Sequence, residues 1–140
     1  MPPAHKNKTY AVFLASVLGV IGLHRFYLHG RRDLWAWVYA AATLAYAAIV
    51  LVESGRGYLG ESVPAFFPLP AFAAWIESLY LGLVPDEVWD KRHNSGSPCT
   101  TRSKWPLAVL LVATLFGGYI VLVSCLARVT DLMYTGGSFG

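Results

Sequence analysis

The chain has 140 residues, enough for one domain, with 56% hydrophobic and 14% charged residues, a net charge of +3 and a mean hydropathy of +0.49. An ordinary soluble domain carries about a quarter charged residues, and here the charges are also clustered instead of interleaved. No arginine-rich stripe with interleaved aromatics is present, which argues against a nucleic-acid groove. The cation excess reads instead as membrane topology and attraction to anionic head groups.

Four apolar stretches, roughly 10–28, 34–52, 65–84 and 105–126, are separated by short polar segments. Backbone groups left unpaired in lipid are costly, so such stretches form helices. The pattern predicts an all-α polytopic membrane helical bundle: one membrane domain over 1–140, four transmembrane helices, and a short cytoplasmic amphipathic helix after the third. The basic start followed by an apolar run is not read as a cleaved signal, because the run ends in His-Arg-Phe-Tyr and a second apolar segment follows at once.

The first predicted helix covers 9–28. Only about thirteen apolar residues, 11–23, precede His24, whereas a hydrocarbon core needs about twenty. The helix is therefore expected to run on through His24 and Arg25, placing two ionisable side chains at the membrane boundary, where a lone charge needs a partner or must snorkel. Ala11, Ala15 and Gly19 recur every four residues, with Ser16 and Gly22 nearby. They form a small-residue stripe that lets backbones approach, although alanine and glycine are frequent in any membrane helix.

The turn 29–33 is short enough to make the second helix antiparallel to the first. Gly30 suits a C-terminal cap and Asp33 an N-terminal one. The second helix, 34–52, opens with Trp35, Trp37 and Tyr39, an interfacial aromatic belt. Residues 53–64 read as a flexible outer connector. Pro64, Pro68 and Pro70 crowd the start of the third helix, which from Pro70 to Val84 is short, tilted or partly re-entrant. Within it Glu77 is the one acidic residue of the predicted spans. Helices one and three are expected to run in the same direction, bringing Arg25 or His24 to the depth of Glu77. A proton- or ligand-coupled site is one reading of the trio. An ion pair locking the first helix against the third is the preferred one.

Residues 85–94 form the amphipathic helix on the cytoplasmic face. Asp86 and Asp90 lie one turn apart, and Asp90 and His93 share a face, but the segment is exposed and no metal site is expected. Residues 95–103 read as a loop. The fourth helix, 105–126, starts with Trp105 and Pro106 and carries Gly117 and Gly118 mid-span, where a partner approaches or the helix bends. The tail from 128 is expected to be mobile, and the sequon at Asn7 is taken as chance. Cys99 and Cys125 fall about 30 Å apart along the fourth helix and its preceding loop, so they form no disulfide. No CxxC is present for redox chemistry or zinc.

Lysine and arginine set the orientation. Arg25, Arg31, Arg32, Lys91, Arg92, Arg102 and Lys104 are assigned to one side, and Lys6, Lys8, Arg56 and Arg128 to the other. The richer side is expected to be cytoplasmic, with both termini outward.

The run Gly19-x-x-Gly22-x-His24-Arg25-Phe26-Tyr27-Leu28-x-Gly30 resembles the two-pass TM-two domain family, whose bacterial members are called NINE proteins. The resemblance continues into Trp75-Ile76-Glu77, where the family usually has a tryptophan followed by an aspartate, and into the polar segment with Asp86, Trp89, Asp90 and Asn94. It covers about residues 6–94. The two halves are separated here by a loop and an extra pass, the acid is glutamate, and the fourth helix lies outside. The resemblance implies a helical membrane hairpin with the His-Arg-Phe-Tyr turn toward the cytoplasm, in keeping with a bacterial inner membrane. It implies no reaction.

No nucleophile–base pair, phosphate loop, metal cluster or cofactor motif emerges, so the chain is not expected to be an enzyme, to use a cofactor or to hold a metal. The reading that follows is an interaction or structural module in the lipid bilayer: an accessory subunit or assembly factor of a larger membrane complex, or a homo-oligomer. His24, Arg25 and Glu77 would hold the bundle, and Trp89 with the basic loop would sense the cytoplasmic surface. The alternative is a small transporter or channel-like component with His24, Arg25 and Glu77 lining a polar cavity. Signalling through the His-Arg-Phe-Tyr turn is a third possibility.

Overall fold

The computed structural model describes residues 5–56 and 68–136. These residues form helices α1 (Lys8–Leu18), α2 (Leu23–His29), α3 (Leu34–Arg56), α4 (Pro68–Leu83), α5 (Asp86–His93) and α6 (Trp105–Thr135), with a 3-10 turn (Gly19–Ile21) between α1 and α2. The all-helical class agrees with the sequence reading. Four full spans do not: α3 and α6 are the two described helices long and apolar enough to cross a membrane, whereas α1 and α4 have 11 and 16 residues.

The shortfall in α1 has a local cause. Asn7 starts the helix, its side-chain oxygen accepting from the Tyr10 backbone N–H at 3.2 Å. At Gly19 the chain tightens into the 3-10 turn, and at Gly22 it enters the left-handed region with φ +80°. The Gly22 N–H donates to the Gly19 carbonyl at 2.8 Å and closes the turn. Glycine reaches this conformation without the Cβ clash other residues meet. Substituted, Gly22 would also place its Cβ 2.8 Å from the Ala36 carbonyl oxygen. The helix expected to run straight through His24 is therefore broken, and α2 folds back along α1. The Asn7 N–H donates to the Tyr27 hydroxyl at 2.9 Å, the Tyr10 and Tyr27 rings meet edge-on at 5.3 Å, and the Lys6 ammonium donates to the Leu28 carbonyl.

This hairpin reverses two further expectations. First, α1 runs antiparallel to α4, not parallel: the Val12 carbonyl accepts from Ser78 Oγ, the Ser16 carbonyl from Trp75 Nε1, and Gly19 packs on Ala74. Ala11 and Ala15 of α1 and Ala71, Ala74 and Ser78 of α4 are all buried. The small-residue stripe is thus used inside the molecule, where Gly19 against Ala74 lets the two backbones approach closely. Second, Lys6 and Lys8 do not lie at the opposite end from the other cations. Lys8 reaches Asp86 and Ser103, and Lys6 reaches Leu28 and Asn94. They share one end, here termed the base, with the end of α2, α5 and the start of α6. Arg128, paired with Asp131 at 3.1 Å, lies toward the far end of α6.

Helix α6 packs antiparallel to α4, with Gly82 against Leu111 and Gly118 against Trp75. Gly118 therefore meets an internal neighbour, while a Cβ on Gly117 would meet nothing within 4 Å. Helix α6 also runs nine residues past its expected end, to Thr135, where Gly136 caps it in the left-handed region. The tail expected from 128 is therefore helical to 135, and residues 137–140 lie outside the described residues. So do 57–67, which hold most of the expected outer connector and Pro64. Helix α3 crosses the 3-10 turn, where Thr43 Oγ1 donates to the Val20 carbonyl at 2.6 Å and satisfies a group freed by the helix break.

Candidate functional site

The fold-back of α2 carries His24 and Arg25 against Glu77 of α4. His24 Nε2 donates to Glu77 Oε2 at 2.5 Å and Arg25 donates from a terminal nitrogen to Glu77 Oε1 at 2.8 Å. Arg25 Nε donates to Asp33 Oδ2 at 3.1 Å, and His29 Nδ1 lies 3.5 Å from the same oxygen. One guanidinium thus bridges two carboxylates from different elements. Its planar fork suits that task, which a lysine ammonium cannot copy. Asp33 has a second duty: its Oδ1 accepts from the Trp35 backbone N–H at 3.1 Å, at the first turn of α3.

His24 is 1% exposed, whereas the Glu77 side chain is about a third exposed. The ring meets Tyr39 edge-on at 5.8 Å. With Nε2 donating to the carboxylate, Nδ1 faces Gly19 and finds no hydrogen-bond partner among the described residues.

The Arg25–Glu77 pair separates two clefts. One, of about 430 Å³, opens between α3 and α4 and is mostly apolar, with Trp35, Val38, Ala42, Pro70 and Ala73 in its wall. The other, of about 160 Å³, lies toward the base between α2, α4 and α5. Chemically the arrangement anchors three elements to one charge cluster, and it places an ionisable group in contact with both spaces.

The polar segment after α4 is built into the base instead of lying loosely on it. Trp89 is buried against Ala11 and Leu28, with its Nε1 donating to the Lys6 carbonyl at 3.2 Å. Asn94 is buried too. Its Oδ1 accepts from the Lys6 N–H at 2.7 Å and its Nδ2 donates to the Lys6 carbonyl at 3.2 Å, so it pairs with that backbone as a neighbouring strand would. Asp86 accepts from the Ser103 N–H and hydroxyl and from Lys8. Partial burial pushes its carboxyl up, but these donors prevail and hold it down at about 2. Asp90 accepts from the Thr101 hydroxyl, from Asn94 and from the Thr101 N–H, which likewise lower its pKa. Both carboxylates are engaged in closing the 95–103 loop.

Of the residues singled out from the sequence, His24, Arg25 and Glu77 come together, and Asp86, Trp89, Asp90 and Asn94 form a second cluster near the backbone of Lys6 and the side chain of Lys8. Gly19 and Gly22 make the break, and Gly30 caps α2 with φ +78°, its N–H donating to the Phe26 carbonyl. Phe26 packs edge-on against Trp37 at 5.3 Å. Sequence reasoning passed over Lys8, 3% exposed and inserted between Val84, Asp86 and Ser103, and it gave Asp33 only a capping role. A lysine at a helix start is ordinarily a solvated charge, so neither residue signals its partner without the hairpin.

No family model, curated protein or solved structure matches this chain.

Proposed function

We propose that the chain is a small integral membrane protein acting as an interaction or structural module, an accessory subunit or assembly factor of a larger membrane complex or a homo-oligomer. One observation carries this reading. The apolar windows of α3 and α6 are 11% and 6% buried within the molecule, so nearly all of their surface is left for lipid or for other helices. Phe116, Tyr119, Ile120 and Val123 are exposed around Gly117, where a neighbouring backbone has room to approach. The resemblance of the 19–30 run to the TM-two family supports a bacterial inner membrane as the setting. Nine of the eleven cations lie toward the base or the turn after α2, and by the positive-inside tendency that end faces the cytoplasm. On this reading the N-terminal residues face inward and the end of α6 outward.

The test is recovery of the tagged chain from its native membranes in mild detergent, with crosslinking through Phe116→Cys in a cysteine-free background. A stoichiometric partner or a self-crosslinked dimer supports the module. A chain recovered alone and uncrosslinked at this face overturns it.

A second reading, a small transporter or channel-like component, is favoured by the position of Glu77 between two clefts. It predicts that Glu77→Gln abolishes flux in a folded protein, whereas in the first reading the same change lowers stability or complex recovery.

A further inference from the structure

The smaller cleft has a basic wall. His24, Arg25, His29, Arg92 and His93 line it together with the Tyr80 hydroxyl. Two acids face it, Glu77 directly and Asp33 through His29, and Arg25 engages both. Arg92 donates to the Tyr80 hydroxyl at 3.2 Å and has no carboxylate partner among the described residues. The His29 and His93 rings stand 6.2 Å apart, and the Lys6 ammonium donates to the carbonyl of Leu28, which also lines the cleft. Burial, and then the charges of Lys6, His29 and Arg92, hold the His93 pKa down at about 4. Arg92 thus brings to the cleft wall a surface guanidinium that no carboxylate among the described residues engages.

We propose that this cleft binds the phosphate group of an anionic phospholipid, with Arg92 and His29 donating to its oxygens and Tyr80 fixing the Arg92 fork. A guanidinium presents paired donors that match a phosphate. Lipid is favoured over a free anion by the neighbouring space. Across the Arg25–Glu77 pair the apolar cleft between α3 and α4 offers a wall of Trp35, Val38, Ala42 and Pro70 to an acyl chain, which a free phosphate would leave empty. The inference rests on the membrane reading above, which fails separately if the chain is recovered from the soluble fraction.

The experiment is native mass spectrometry of the delipidated, detergent-purified chain given equal amounts of phosphatidylglycerol and phosphatidylcholine. One phosphatidylglycerol per chain is expected to be retained in preference. Arg92→Gln is expected to lower that retention about tenfold, the loss of a charge-assisted contact, and His29→Gln to lower it in the same direction. Lys91→Gln, an exposed neighbour outside the cleft wall, is expected to leave it unchanged. Both lining side chains are at the surface, and size-exclusion profiles of all three variants check that the fold survives. Equal retention of the two lipids, or equal loss in Lys91→Gln and Arg92→Gln, overturns the proposal. So does thermal stabilisation by inorganic phosphate without lipid preference, which would make the cleft a free-anion site.

Discussion

Arg25 holds two carboxylates at once, so removing either leaves it half satisfied in a poorly solvated place. Glu77→Gln should lower stability by on the order of 2 kcal/mol, below the full value for a buried pair because Glu77 is partly exposed. Thermal unfolding in detergent measures this, and the double change Arg25→Met with Glu77→Leu should recover part of the loss. An unchanged midpoint in the single variant would show that the cluster does not hold α2 to α4. Two other residues set a pH dependence. Asp86 has its pKa lowered from 3.8 to about 2 in the folded chain, so the unfolded chain binds the proton first and the stabilisation is lost as pH falls from about 3.8 to 2. For His93 the folded value, about 4, lies below the model-peptide value of 6.5. Protonation again favours the unfolded chain, and stability should decline as pH drops from 6.5 toward 4. Melting curves at pH 7.5, 6 and 5 should show this slope in the wild type and a flatter one in His93→Gln. At this scale the sequence was informative about His24, Arg25 and Glu77, since ionisable groups in apolar runs need partners. It was silent on Lys8 and Thr43, whose partners exist only after the chain turns back.

The element that decides the architecture is the break between α1 and α2. Two glycines report its origin separately. At Gly22 a side chain meets both a positive φ and a backbone carbonyl; at Gly30 it meets a positive φ alone, in open space. Gly22→Ala should therefore destabilise by more than about 2 kcal/mol and Gly30→Ala by about 1 kcal/mol, measured as the difference in unfolding midpoints. Similar midpoints for the two would remove the Ala36 contact from the account. The break was not legible because Gly19 and Gly22 fit a small-residue packing stripe as well as they fit a terminator, and no proline marks the stop. Composition did show that the first helix was too short to span, but continuation and reversal both answer that shortage. The third helix, expected as short, tilted or partly re-entrant, is short in the structure, and its prolines at 68 and 70 sit within its first turn.

For the whole molecule, the all-helical class followed from clustered charge and backbone satisfaction alone. The number of spans did not, because apolar length in sequence does not distinguish a helix that crosses from one that turns back. The arrangement of ends is testable. Lys6 lies near the base with the Cys99 loop, and Met133 is exposed in the last turns of α6, at the other end. In a Cys125→Ser background, Cys99 and a cysteine at position 6 should react with an impermeant maleimide from the same side of sealed vesicles. A Met133→Cys variant also lacking Cys99 should react from the opposite side. Labelling of all three from one side would contradict the crossing of α6.

The hairpin also imposes a schedule on synthesis. The partners of α1 lie far downstream: Trp75 is 59 residues beyond Ser16, Ser78 is 66 beyond Val12, and Asp86 is 78 beyond Lys8. At about 5–20 residues per second, these groups leave the ribosome roughly 3–16 s after the ones they hold. Throughout that interval the first helix lacks both the acid that neutralises Lys8 and the small-residue face it packs against. Its packing is consequently a late step, completed when α4 and α5 emerge, and a nascent chain halted before residue 68 would carry α1 without its α4 partner.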